Sequence, residues 1–288
     1  MKALLLCPAA RPQVGWLAET APLATVPLLG QSLLEYWLSH LACSNARQVT
    51  VVAHERVDQV RALAGDGARW GLAVKVAEEL REFTSSQALL KYAADLDPIP
   101  APGSLVTLDY FPGKPELPLF TSYRDWFAAM QAWMPHAITP DRVGMTEVRR
   151  GLWVGLHSHI SPQARLLAPC WIGKHVFVGA NAVIGSHSIV EDGAFIEPGV
   201  EIQESSIGPD TFVGRFAQVS RSIAWGSTLI NWQTGSLTKV TDSFLLCALR
   251  RPRRQRTAGW LTRLSDLYCR GKEEVQIVSE RLLLNKEG

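Results

Sequence analysis

Three histidines in the second half of the chain, His157, His175 and His187, carry the first chemical signal. An imidazole takes or gives a proton near neutral pH, so each is a candidate general base or metal ligand. His157 and His175 lie eighteen residues apart, a spacing that gains meaning from the repeat described next. Five cysteines, Cys7, Cys43, Cys170, Cys247 and Cys269, are scattered without a paired spacing, and read as free thiols in a reducing cytoplasm. At 250–256 five arginines fall within seven residues, followed by Trp260, Leu261, Leu264, Leu267 and Tyr268 at helical spacing. A membrane surface or an acidic protein partner suits that pattern, as does a capping helix with its arginines in solvent. Nucleic acid is not expected, because no stacking platform or known motif accompanies the charge.

The elements that hold the histidines follow from a period of six. Ile160, Leu166, Ile172, Val178, Ile184, Val190, Ile196 and Ile202 recur at that interval, and small side chains follow four residues later at Ala164, Cys170, Ala182, Ser188 and Ala194. Six is neither a helical nor a strand period, so a folded repeat is required: a three-sided coil of short parallel strands, the hexapeptide parallel β-helix. Aliphatic residues point inward, and each histidine, three residues after an inward position, faces outward. His157 and His175 are then expected to stack on adjacent coils. The register slips between Ile202 and Ile207, resumes at Val213, Val219 and Trp225, and a last coil is expected to close near Leu249.

The first half reads differently. Strands are expected at Lys2–Leu6, 48–53, 72–76 and 105–109, with helices at 32–42 (Ser32 as N-cap), 57–64, 85–94 and 123–134. Alternation of this kind gives a parallel sheet covered on both faces, with ligand sites at the carboxyl ends of its strands. At 288 residues and 47% apolar the chain holds two modest domains, and a net charge of +2 favours neither acidic nor basic partners. No apolar run is long enough to cross a bilayer and residues 1–6 are too short for a secretion signal. A cytoplasmic protein is expected, peripheral to the inner membrane face if the tail meets lipid.

Met1-Lys2-Ala3-Leu4-Leu5-Leu6, Pro22, Pro27, Gly30, Leu33-Leu34-Glu35-Tyr36, Thr50-Val51-Val52 and Trp70-Gly71 together resemble the sugar-1-phosphate nucleotidyltransferases, many of which carry a hexapeptide β-helix. The resemblance implies a truncated Rossmann-like α/β domain at 1–120, a linker and cap helix at 121–149, a left-handed β-helix at 150–249 and a basic helical tail at 250–288. It also implies nucleotide contacts at Ala9, Ala10 and Ser85, a charge-handling Arg11, and Mg2+ on Asp109 if any nucleotidyl transfer remains. The departures stand in the same places. The glycine-rich phosphate loop is Ala9-Ala10-Arg11-Pro12-Gln13, the lysine of the P-K-P segment is Leu23, and the base-binding glycine is missing from Thr84-Ser85-Ser86. Proline removes a donor and side chains block phosphate.

The expectation drawn from this is a nucleotidyltransferase-like protein of nucleotide-sugar or surface-polysaccharide metabolism, with lost or reduced catalysis and a regulatory or scaffolding role. Its expected partners are a nucleotide or nucleotide-sugar and further copies of itself, as trimer or dimer. Two alternatives stand beside it: a hexapeptide-repeat acyltransferase at the β-helix surface with His187 as base, and a nucleotidyltransferase with a rebuilt loop using Arg11 and Asp109. Outward histidines with no chemical task are the plainer account of the repeat.

Overall fold

The computed structural model describes residues 1–97, 103–138 and 144–249. The basic tail at 250–288, and the helix expected in it, lie outside them. An unbroken apolar run makes Lys2–Leu6 (β1) a strand buried on both sides. Gly15–Thr20 (α1) follows, then the short pair Pro27–Leu28 (β2) and Gln31–Ser32 (β3), and helix Leu33–Cys43 (α2). Ser32 caps α2 as expected: its Oγ accepts from the Glu35 N–H at 3.2 Å, while Glu35 Oε2 accepts from the Ser32 N–H at 2.8 Å. Next come Gln48–Ala53 (β4), Val57–Ala64 (α3), Ala73–Glu78 (β5), Ser85–Lys91 (α4), Leu105–Thr107 (β6) and Tyr123–Trp133 (α5). The sheet is parallel, in the order β5-β4-β1-β6. β6 stops at Thr107, so Asp109 lies in the loop beyond it. α5 packs into the α/β core, its Trp133 ring stacked on Phe111 at 4.7 Å and meeting Tyr36 edge-on at 5.5 Å.

The second half is the β-helix that the period of six demands. Strands Leu152–Gly155, Cys170–Ile172, Ser188–Val190, Ser206–Ile207 and Ser222–Trp225 pair in parallel along one face. His159–Ile160, Phe177–Val178, Phe195–Ile196 and Thr211–Val213 form the second. Arg165–Leu166, Val183–Ile184, Glu201–Gln203 and Gln218–Ser220 form the third. Ile172, Val178, Ile184, Val190, Ile196 and Ile202 fill the interior with the small residues beside them, each at most 1% exposed. Glycines let the turns lie close together: a Cβ on Gly179 would sit 2.5 Å from the Pro198 nitrogen.

Two expectations fail here. Pairing Ile189 with Ser206 shortens one coil from eighteen residues to seventeen, and pairing Ile207 with Ala224 shortens another. The inward position therefore falls on Ala224, while Trp225 turns out to meet Trp16 edge-on at 5.5 Å. The last coil is also replaced. Thr228–Asn231 runs back antiparallel to Ser222–Trp225, Leu237–Lys239 pairs with it, and Leu246–Ala248 lies antiparallel to Thr211–Val213. Reversed strands thus end two of the three faces, and Leu237–Lys239 is left as a short exposed edge.

The three faces have different fates. On the first, the outward residues Trp153, Trp171, Ile189 and Ile223 are buried in one hydrophobic cluster with the α/β half. Burial of Ile189 and Ile223 alone contributes about 1.5–3 kcal/mol each. The carboxylate of Glu191, 2% exposed, reaches across the same boundary and accepts the N–H groups of Leu29 at 2.5 Å and Gly30 at 2.6 Å. Those two form the β2–β3 turn with positive φ, 55° and 75°, which aims both donors at the acid. The second face carries a ladder of stacked rings, His159, Phe177, Phe195 and Phe212, with centroids 5.5, 4.4 and 5.9 Å apart. The third is mostly polar, with Arg165, Glu201 and Gln218. No helix among the described residues is long and apolar enough to cross a membrane.

Candidate active site

All three histidines face solvent, at turns between faces. Their backbones are left-handed, with φ of 61° at His157, 56° at His175 and 58° at His187. Asn181 at the remaining corner, and Glu204, Asp210 and Arg221 on later coils, hold equivalent turn positions with φ between 46° and 58°. His, Asn and Asp tolerate that conformation better than most residues, so part of the histidine pattern has a backbone cause. His157 and His175 stack as their spacing predicts, with ring centroids 5.1 Å apart and an interplanar angle of 16°.

His187 stands at a different corner, where the β-helix meets α5. Its N–H donates to the Pro169 carbonyl at 2.6 Å, and its own carbonyl accepts from Gln131 Nε2 at 3.0 Å. Glu204 occupies the same turn position one coil on, and Arg221 the next, each seventeen residues further. Arg221 Nε lies 3.6 Å from Glu204 Oε2. Trp232 closes the corner: its Nε1–H donates to the Glu204 carbonyl at 2.8 Å and its ring stacks on Phe127 of α5 at 4.9 Å. An exposed imidazole, a carboxylate on the adjoining coil about 4.8 Å along the stack, a guanidinium and an indole wall thus share one corner. Glu204 was not singled out from sequence, because the slip at Ile202 moved it off the eighteen-residue interval. A count restarted at the slip would have found it.

The carboxyl ends of β1, β4 and β6, with the loop after β5, bring the other candidates together. Arg11 makes a two-pronged bond to Glu82, at 2.6 and 2.8 Å, and lies 3.8 Å from Asp109 Oδ1. The Ala10 N–H donates to Glu55 Oε1 at 3.4 Å. The hydrogen bond from Arg11 holds the Glu82 carboxyl below its usual range, against the opposing effect of burial, and the Ala9 N–H helps to hold it low. Burial pushes the Asp109 carboxyl above its usual range, with Arg11 opposing. The donors that the resemblance assigns to phosphate therefore meet carboxylates of the chain itself. Ser85 is exposed in the first turn of α4, behind the Thr84 cap. Among the described residues no group of three or more His, Cys, Asp or Glu is placed to hold a metal ion.

Residues 169–204 match the family model described as bacterial transferase hexapeptide, six repeats. A search of curated proteins found no match. Similar solved structures include the acetyltransferase domain of PglB from Neisseria gonorrhoeae, 13% identical, covering 62% of this chain and 88% of that one, with a TM-score of 0.22. A perosamine N-acetyltransferase variant from Caulobacter crescentus, solved with CoA and GDP-perosamine, is 13% identical, covers 63% and 94%, and has a TM-score of 0.19. Both scores are too low for either likeness to bear on this chain's chemistry. The family match is to a transferase repeat, and on it the expectation of a nucleotidyltransferase-like regulatory subunit is corrected to the coarser one of a transferase-type hexapeptide repeat. The occupied loop donors at Ala9, Ala10 and Arg11 agree with that correction.

Proposed function

We propose that the chain is a hexapeptide-repeat acyltransferase that works at the His187 corner, moving an acyl group from a coenzyme A thioester to an amino or hydroxyl group of a sugar. The observation that carries this is the exposed imidazole of His187, set on a transferase-type repeat beside Glu204. In the proposed step His187 takes the proton of the acceptor amine or hydroxyl as that atom attacks the thioester carbonyl. The C–S bond then breaks and the departing thiolate takes the proton from the imidazolium, which balances the reaction without a further reactant. Glu204 is the positioning residue, since a carboxylate on the next coil favours the imidazolium that forms, while Arg221 fixes Glu204. Trp232 offers an apolar wall against which the C–H face of a sugar packs.

A homo-oligomer, trimer or dimer, belongs to the same proposal, because the described residues leave the rings of the aromatic ladder along the second face only partly buried. The test is release of free thiol from acetyl-coenzyme A by the purified protein over a panel of amino sugars, hydroxyl sugars and their nucleotide conjugates. Turnover with any acceptor above the hydrolysis background supports the proposal. No release with any donor and acceptor pair would remove it.

A further inference from the structure

A hollow of about 240 Å³ lies against α2 and the end of α5, and its lining shares no residue with either group described above. One face of α2 supplies Tyr36, Ser39, His40 and Cys43, which recur at helical spacing. Trp133, His136, Pro112 and Ile138 complete the wall. Two of these residues are fixed by bonds elsewhere: the Tyr36 hydroxyl donates to the Leu28 carbonyl at 3.1 Å, and Ser39 Oγ accepts from Trp70 Nε1 at 3.1 Å. His40 and His136 are exposed, each with its ring against an indole, Trp37 at 5.6 Å and Trp133 at 5.5 Å. Trp133 Nε1 is buried and has no acceptor among the described residues. Among the described residues no carboxylate or ammonium lines the hollow.

We propose that this hollow binds a planar nitrogen heteroaromatic of one or two fused rings. The exposed imidazoles of His40 and His136 offer flat rings, which favour a flat partner over a saturated one. The volume is below the roughly 300 Å³ at which drug-sized sites begin, which limits the ligand to one or two rings. Two imidazoles, each with one donor and one acceptor when neutral, match the alternating ring-edge groups of a heteroaromatic, and a wall without formal charge gives no advantage to a charged ligand. The proposal is independent of acyl transfer.

Calorimetry with adenine and nicotinamide tests it, with glucose as a non-planar control. Alkylation of Cys43 by N-ethylmaleimide gives a second readout, because Cys43 stands in the wall. The expected result is saturable binding of at least one heteroaromatic, none of glucose, and slower alkylation of Cys43 at saturation. His136→Ala is expected to weaken binding about tenfold, one hydrogen bond's worth, and Cys43→Trp to abolish it by filling the hollow. Both positions are exposed, so the fold should survive, and an unchanged Tm checks that it does. Absence of binding by either heteroaromatic overturns the proposal, as does binding that both variants leave unchanged or that leaves Cys43 unprotected.

Discussion

Replacing Glu191 by alanine should loosen the two halves of the molecule from each other. The side chain is 2% exposed and its carboxylate takes two backbone donors, Leu29 N–H at 2.5 Å and Gly30 N–H at 2.6 Å. Hydrogen bonds to a charged group contribute about 1.5–3 kcal/mol each, and truncation leaves both donors unpaired at a buried boundary. Relaxation of the left-handed Leu29 backbone, strained by about 1–2 kcal/mol at φ 55° and held by the acid, offsets part of that loss. The expected loss for Glu191→Ala is about 3–5 kcal/mol, or on the order of 10 °C in Tm for a chain of this size. Glu191→Gln keeps one acceptor but turns an N–H₂ towards the other donor, so its loss should fall between wild type and alanine. Urea unfolding followed by tryptophan fluorescence reads both values. A Glu191→Ala protein within 1 kcal/mol of wild type would show that the apolar face alone holds the halves together and that the reasoning about the turn is wrong.

Other outcomes follow from the same structure. Gly179→Ala places a methyl 2.5 Å from the Pro198 nitrogen, which is backbone and cannot step aside, so a loss of about 1–3 kcal/mol or failure to fold is expected in a thermal melt. Burial pushes the thiols of Cys7 and Cys170 up to about 12, so iodoacetamide at pH 8 should label Cys43 and spare both in the native protein, as peptide mapping would read. The Glu82 carboxyl is held low by Arg11, so its contribution to stability is present above the ordinary carboxylate range and is lost as pH falls through the depressed value. In Arg11→Ala that acid-side loss should shrink, measured as Tm from pH 3 to 7. Asp109 has the opposite sign: its raised value means that ionisation opposes folding, so Asp109→Asn should melt higher than wild type at pH 7.

Much of the fold was legible because the β-helix repeats one requirement on every coil. Each turn needs an inward aliphatic residue with a small one beside it, and Ile172, Val178, Ile184, Val190 and Ile196 state that need at a fixed interval. Helix α3 was bounded correctly, and α2 was given its Ser32 cap, because the signals there lie within a few residues. The two seventeen-residue coils were not both visible, since a shortened turn leaves the composition unchanged and only pairing shows that Ala224 has replaced Trp225 inside. The reversed strands after Ser227 were read as a coil because Val240, Phe244 and Leu245 fit either arrangement. The contact from Glu191 to Leu29 spans more than 160 residues and has no local trace. A signal was present but unused in Trp153, Trp171, Ile189 and Ile223: large apolar residues at outward positions on one face mark what that face packs against. At the candidate site the outward placement of His187 was readable, whereas the approach of Gln131, Trp232 and Glu204 depends on how the two halves meet.

The central claim is that His187 is the proton acceptor of an acyl transfer at the β-helix surface. The measurement that tests it most directly is kcat for thiol release from acetyl-coenzyme A by wild type and by His187→Ala, with the best acceptor from the panel and with Tm recorded for both proteins. Loss of a general base lowers the rate by about 10²–10⁴-fold, and alanine at the left-handed turn costs at most about 1–2 kcal/mol, so the account predicts a collapse of kcat with only a small fall in Tm. A His187→Ala protein that turns over at the wild-type rate would contradict it.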